Sequence, residues 1–254
     1  MTGRDTEGGS GMNNNLIDIH THITPGVDDG AENLKMSLEM LRSEAEQGGS
    51  VVFLTPHSDA FEFGWSPDTF RQMRQVREAA AAEGIPLRLY EGCEVYASRR
   101  IIDEVLKDLE KGILPSMNGT RYVLAEFSTN RGNMSDAKYC LRRYLEEGWI
   151  PIIAHAERYC RTFATVENIA ILKEMGCLVQ LNYYSLAEEP NDEIRTCART
   201  LLQAELADMM GSDAHRTDHR RPNLASGAEY IRAHCRPEYA QNVLRRNAER
   251  LLLK

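Results

Sequence analysis

"LIDIHTHITPGVDDG", residues 16–30, sets two histidines two apart at the end of an apolar run, then enters a turn with paired aspartates between glycines. In an extended strand, residues i and i+2 face the same side, roughly 6.5–7 Å apart. Asp18, His20 and His22 are therefore expected on one face, and Ile17, Ile19 and Thr21 on the other. An apolar strand that ends in an acid and two imidazoles carries chemistry at its end. The fold then depends on whether other strands end the same way.

They do. "VVFLTPH" ends in His57, "LRLYEGCE" runs into Glu94, and "YVLAEF" carries Glu126. "PIIAHAER" carries His155 and Arg158, and "MMGSDAH" carries Asp213 and His215. Apolar runs at 16–20, 50–55, 86–91, 121–126, 150–154, 177–181 and 206–210 read as strands. Helical spacing fills 33–47, 67–83, 98–111, 135–147, 165–175 and 191–204, with two more helices near 224–233 and 237–252. Leu34, Leu38, Leu41 and Ala45 mark the apolar stripe of the first helix, and Gly48-Gly49 stops it. Ser66-Pro67 starts the second.

Strands alternating with helices of this length imply parallel βαβ units. About seven such units without an internal repeat favour an α/β fold closed as an irregular (β/α) TIM-like barrel over an open sheet. In such a barrel the carboxyl ends of the strands meet on one face, so the polar residues would converge. Five of the seven histidines sit at these ends, interleaved with Glu94, Glu126 and Asp213. Any one of them is more often a hydrogen-bonded structural residue; the convergence is the signal.

Imidazole and carboxylate without cysteine suit Zn²⁺, Mn²⁺ or Fe²⁺. With Asp29 the candidate ligands number nine, too many for one ion, so two or three ions are expected. Such clusters generate hydroxide at neutral pH and clamp the oxygens of an in-line displacement at phosphorus. Arg158, Arg216, Arg220 and Arg221 lie close in sequence, and a guanidinium fork fits phosphate. Arg221 stands out by its placement after the "SDAH" ligands; Arg216 and Arg220 fit a solvated loop equally well.

Composition bounds the rest. The 254 residues are 42% hydrophobic and 27% charged, a globular balance. A net charge of −8 argues against nucleic acid or an anionic membrane surface as partner. No apolar run is long enough to span a bilayer, and no signal-peptide pattern opens the chain. Six scattered cysteines without a CxxC pair read as reduced thiols of a cytoplasmic protein. Residues 1–15, "MTGRDTEGGSGMNNN", read as a flexible extension in which Met12 is an alternative start, and 16–254 as one domain.

The order "DIHTHITPGVDDG", "TPH", "GCEVY", "LAEF", "IIAHAERY" and "GSDAHR" resembles the polymerase and histidinol phosphatase (PHP) superfamily. Within it the chain is most similar to bacterial metal-dependent protein-tyrosine phosphatases of the capsule and exopolysaccharide type. The resemblance implies a PHP-type barrel with a manganese-supported cluster. It also implies a substrate on the phosphotyrosine tail of a bacterial tyrosine autokinase that controls polysaccharide export. Carried over, the metal ligands are His20, His22, Glu94 and Asp213, completed by His57, Glu126, His155 and His215. Asp29 becomes a base or proton relay, and Arg158 and Arg221 hold phosphate while a metal-bridging hydroxide attacks phosphorus. Two stretches depart from the pattern: Ser58-Asp59 after "TPH", and the loop at 128–139.

Rival readings share the residues. A histidinol-phosphate or other small-molecule phosphatase would use the same cluster, whereas a PHP-type exonuclease suits the acidic balance poorly. A non-enzymatic regulator would be expected to lose ligands that are all present here. Helices rich in arginine and glutamate permit a homo-oligomer. "CEVYASR" (93–99) has the C-x5-R spacing of cysteine phosphatases, but its five intervening residues lack glycine and begin with Glu94. That carboxylate would repel both thiolate and phosphate, so Cys93 reads as structural.

Overall fold

The computed structural model describes residues 15–58 and 65–253. The proposed extension, apart from Asn15, and the departure at Asp59 lie outside the described residues. The chain alternates as the apolar runs require. In order it forms β1 (Leu16–Asp18), α1 (Leu34–Glu46), β2 (Gly49–Leu54), α2 (Pro67–Ala82), β3 (Arg88–Glu91) and β4 (Glu94–Tyr96). There follow α3 (Ile102–Glu110), β5 (Tyr122–Glu126), α4 (Met134–Glu146), β6 (Ile150–Ile153), α5 (Val166–Glu174) and β7 (Leu178–Asn182). The last elements are α6 (Tyr183–Ala187), α7 (Asp192–Gln203), β8 (Met209–Gly211), α8 (Ala225–His234) and α9 (Pro237–Gln241).

Local chemistry sets the helix ends. The Asn33 side chain accepts from Met36 N at 3.1 Å, capping α1, and Asn133 and Thr165 cap α4 and α5 in the same way. After α1, Gly48 takes φ 92°, a left-handed conformation that turns the chain into β2. The helix expected over 237–252 is regular only to Gln241. Beyond it the chain winds through a wider turn, Asn242–Arg246, and a tighter one, Ala248–Leu252. The short helix α6 was not foreseen in the sequence.

All strand pairs are parallel, in two sheets with orders β1-β2-β3 and β4-β5-β6-β7-β8. Hydrogen bonds join the sheets at both seams. Beyond β1, Asp213 N donates to His20 O and His22 N to Ala214 O, each at 2.8 Å. Beyond β2, Glu94 N donates to Pro56 O at 3.1 Å and Ser58 N to Glu94 O at 2.9 Å. β3 and β4 are one strand broken at Gly92-Cys93, so the expected seven strands appear as eight segments in a ring.

The ring is filled below and wrapped outside. Ile17, Val51, Phe53, Leu124, Ile152 and Met209 come from five different strands yet form one cluster, closed by Met117, Ala248 and Leu251. Residues from strands so far apart meet only across the ring's interior. Alternate residues face the helices: Val52 and Leu54 pack with Met40, Leu41 and Met73 of α1 and α2. Each such side chain contributes about 1.5–3 kcal/mol by burial. With the interior packed, open space for chemistry is left at the carboxyl ends.

Candidate metal centre

At that end the polar residues meet. His20 and His22 follow β1, His57 follows β2, Glu94 opens β4 at the break, and Glu126 ends β5. His155 follows β6, and Asp213 and His215 follow β8. Their donor atoms fall into four overlapping groups, each within 4.8 Å: His22, Asp29, His57, His215; His20, His22, Asp213; His20, Glu94, His155; and His57, Glu94, Glu126. All nine candidates from the sequence are brought together.

Glu94 is the hub. Its Oε2 lies 3.2 Å from both His20 Nε2 and His22 Nε2 and 2.9 Å from His57 Nδ1, and its Oε1 lies 2.8 Å from His155 Nε2. Burial would push this carboxyl up, but the His20 and His57 imidazoles hold it well below the usual carboxylate range. Asp213 is likewise buried, and Arg220 and then His20 outweigh burial to keep it ionised. Burial depresses His57, but Glu94 beside it reverses the sign and lifts its pKa to about 10. The pocket thus stabilises negative oxygens by gathering positive charge.

The ring orientations show what kind of positive charge fits. His20 Nδ1 faces Gln180 Oε1 at 3.1 Å, and the same oxygen accepts His155 N at 2.7 Å, which fixes it as an acceptor. His22 Nδ1 faces Asp28 Oδ2 at 2.8 Å. Both Nδ1 atoms therefore carry a proton, and both Nε2 atoms turn inward, 3.2 Å from one another. They converge with Glu94 Oε2, which is buried and lacks a well-aligned hydrogen bond. Two imidazole nitrogens that converge on a buried carboxylate oxygen without a well-aligned hydrogen bond of its own fit a divalent cation, which would take the place of protons there. The donor set, nitrogen and oxygen without sulfur, fits a borderline or hard ion.

Positioning falls to residues the sequence reading passed over. Asp28, the first acid of the "DDG" turn, holds His22 by Oδ2 and also accepts His57 N (3.1 Å) and Gly30 N (2.9 Å). Gly30 is obligatory there, because a Cβ would stand 2.0 Å from His22 O. Asp29 points elsewhere, its Oδ1 3.3 Å from His215 Nε2 and 3.6 Å from His57 Nε2, half exposed at the mouth. His155, Asp213 and Arg220 have left-handed backbone, three of the five such non-glycine residues among those described. Strain of this kind persists where the surroundings over-determine it.

Asp18 departs from the expected face. The regular strand ends with it, so alternation does not carry through to the histidines. Asp18 Oδ1 accepts the backbone N–H of His20 (3.0 Å) and Ser212 (2.9 Å), and its carboxyl meets Glu44 of α1, while His20 and His22 reach across to Glu94. Gln180, not Asp18, orients the His20 ring.

The arginines also separate. Arg158 donates to Asp213 Oδ2 at 3.1 Å. Arg220 donates to the same oxygen and lies 3.0 Å from His215 Nε2. Arg221 instead reaches Glu188 at 3.7 Å and is 67% exposed, and Arg216 pairs with Glu32. Cys93 is buried with its thiol pushed up, first by burial and then by Glu94, and Arg99 turns away to Asp136. The C-x5-R spacing builds no phosphate cradle. Tyr159 and Tyr183 are fully buried packing residues, whereas Tyr184 is half-buried at the rim.

A ring of parallel strands whose carboxyl ends bring nine nitrogen and oxygen donors to one centre, beside two arginines, is an arrangement that could hold divalent metal ions, as a metal-dependent hydrolase requires. Residues 16–253 match the family described as "Capsular polysaccharide synthesis, CpsB/CapC", and the chain belongs to it. It is 33% identical over 214 residues to the tyrosine-protein phosphatase YwqE of Bacillus subtilis, covering 81% of this chain and 79% of that protein. It is 29% identical over 243 residues to the tyrosine-protein phosphatase CpsB of Streptococcus agalactiae, covering 93% and 98%. Among solved structures, one from a description of the metal-dependent tyrosine phosphatases YwqE of B. subtilis and CpsB of Streptococcus pneumoniae gives a TM-score of 0.79 at 29% identity, covering 89% of this chain and 90% of that one. Among the described residues no helix is long and apolar enough to cross a membrane.

Proposed function

We propose that this protein hydrolyses phosphotyrosine with two or three divalent ions, Mn²⁺ foremost, and that its substrate is the phosphotyrosine tail of a bacterial tyrosine autokinase governing capsular or exopolysaccharide synthesis. The carrying observation is the donor cluster centred on Glu94 with Arg158 and Arg220 at its rim, in a chain of the CpsB/CapC family. The proposed ligands are His20, His22, His57, Glu94, Glu126, His155, Asp213 and His215. We place the activity in the cytoplasm, where the six free cysteines stay reduced.

Bound divalent ions supply a water nucleophile at neutral pH and neutralise charge on the phosphoryl oxygens. The chain's own residues do the rest. Arg158 and Arg220 share one Asp213 oxygen, so each keeps N–H donors to offer a phosphoryl group at the rim. The His215 imidazole beside Asp29 holds its carboxyl well below the usual carboxylate range, against the opposing effect of burial. Half exposed, Asp29 stands where a proton can pass between the centre and solvent. Phenol leaves with a pKa of about 10, so a tyrosyl ester needs less protonation than the alkyl ester of histidinol phosphate.

The test is hydrolysis of a phosphotyrosine peptide by protein stripped with chelator and refilled with Mn²⁺, with histidinol phosphate in parallel. Metal-dependent turnover favouring the peptide is expected; a preference for histidinol phosphate would shift the reading to a small-molecule phosphatase. In the same assay Cys93→Ser is expected to retain metal-dependent turnover, and its loss in a folded variant would restore the cysteine mechanism. Arg220→Ala is expected to lower kcat/KM by about 10²–10³, the scale of one lost transition-state donor. The loss should exceed that of Arg221→Ala at least about tenfold, a gap of ~1.4 kcal/mol. Equal losses would mean that the 216–221 loop rearranges around substrate.

A further inference from the structure

From the rim a cleft of about 590 Å³ runs outward between the α6–α7 connection and the 216–221 loop. Its volume lies within the range of pockets that enclose an organic ligand, roughly 300–1,000 Å³. The inner end is lined by Arg158, Asp213 and Arg220, the groups at the edge of the metal centre. The outer end is lined by Tyr184, half-buried, and by the carboxylates of Glu188, Glu189 and Asp218. Arg221 is there too, 3.7 Å from Glu188, so the outer wall carries three acids against one arginine. The cleft is therefore polarised, with two guanidiniums where a phosphoryl group would enter and an excess of carboxylate toward solvent.

We infer that this cleft holds the peptide around the phosphotyrosine and selects substrates with a basic residue beside it. The inference rests on the phosphotyrosine reading and adds the sequence context of the substrate. The geometry separates two tasks that one uniformly basic groove could not. Phosphate is drawn to the inner arginines. An ammonium or guanidinium on a neighbouring residue meets Glu188, Glu189 or Asp218, while a neighbouring carboxylate is repelled by them. Tyr184 offers the outer cleft an aromatic surface on which an aryl ring or a cation can rest. Because these acids stand away from the phosphorus, they act on peptide binding and not on bond cleavage. Their effect should appear in KM more than in kcat.

The experiment compares two phosphotyrosine hexapeptides that differ only in lysine or glutamate flanking the phosphotyrosine, with p-nitrophenyl phosphate as a third substrate, all on Mn²⁺-loaded protein. The lysine peptide is expected to have the higher kcat/KM by about three- to tenfold, the yield of two or three rim ion pairs. Raising NaCl to about 0.5 M should shrink that ratio by screening. In Glu188→Lys/Glu189→Lys the ratio should invert, and because it is taken within one enzyme, a general loss of activity cancels. A ratio near one in the parent, with p-nitrophenyl phosphate and both peptides hydrolysed, overturns the cleft assignment alone. Failure to hydrolyse all three with Mn²⁺ overturns the phosphatase reading and this inference with it.

Discussion

Glu94→Gln is expected to abolish turnover while leaving the fold in place, because Glu94 belongs to two of the four donor groups and its oxygens touch four imidazoles. Glutamine keeps the volume of the side chain and replaces one ligating oxygen by an N–H₂ group, which has no lone pair for a cation. It also removes the charge that holds His57 near a pKa of about 10, so the site loses both a ligand and the electrostatics that gather positive charge. Substituting an outer-shell partner costs about 10–100-fold in metal affinity or activity, so losing the hub ligand should cost more than ~100-fold. Metal content should fall by at least one ion and yet not vanish. The His22, Asp29, His57, His215 group and the His20, His22, Asp213 group do not use Glu94. Elemental analysis after gel filtration reads the stoichiometry, and a retained far-UV spectrum separates a lost ligand from a lost fold. Full metal content with activity within tenfold of the parent would remove Glu94 from the centre of the mechanism.

The strands and the convergence of the candidate ligands were legible in the sequence because most of the apolar runs end in a histidine or acid, and parallel connectivity forces those ends onto one face. What stayed hidden depends on backbone geometry within a residue or two. Asp28 and Asp29 are neighbours, yet one braces His22 and the other faces His215, a division set by the turn that Gly30 permits. Arg220 and Arg221 are neighbours too, and the left-handed φ of 50° at Arg220 sends one guanidinium inward and the other toward Glu188. Gln180 lies inside what reads as an apolar strand, and only the fold brings its amide to His20 and to the backbone of His155. The break at Gly92-Cys93 left no periodic trace, since a strand of nine residues with one interruption has the same pattern as two short ones. Alternation also misplaced Asp18, because β1 ends before its histidines begin.

Asp18 leads to a stability prediction in which the sign of a pH effect is decided by burial. Glu44 on α1 is fully buried beside Asp18 and Ser212, yet neither of its oxygens, nor Asp18 Oδ2, makes a well-aligned hydrogen bond. Burial first, and then the Asp18 charge, push the Glu44 carboxyl well above its usual value of 4.5. Burial lifts Asp18 to about 6. Both acids are therefore easier to protonate in the folded chain than in the unfolded one. A raised carboxyl contributes stability that is fully present below its unfolded pKa and is lost as pH rises toward its folded pKa. Each group removes up to about 1.4 kcal/mol per pH unit across that interval. Glu44→Gln cannot titrate and retains N–H donors for Asp18, so the variant keeps only the Asp18 part of this loss. In chelator-treated protein, which holds metal linkage constant, the stability of Glu44→Gln relative to the parent should climb as pH is raised from 5 to 8. Urea midpoints at constant slope measure it. A difference that stays flat across that range would mean Glu44 is already ionised in the fold. The carboxylates would then need a cation, and α1 would be tied to the β1–β8 seam by an ion in place of a shared proton.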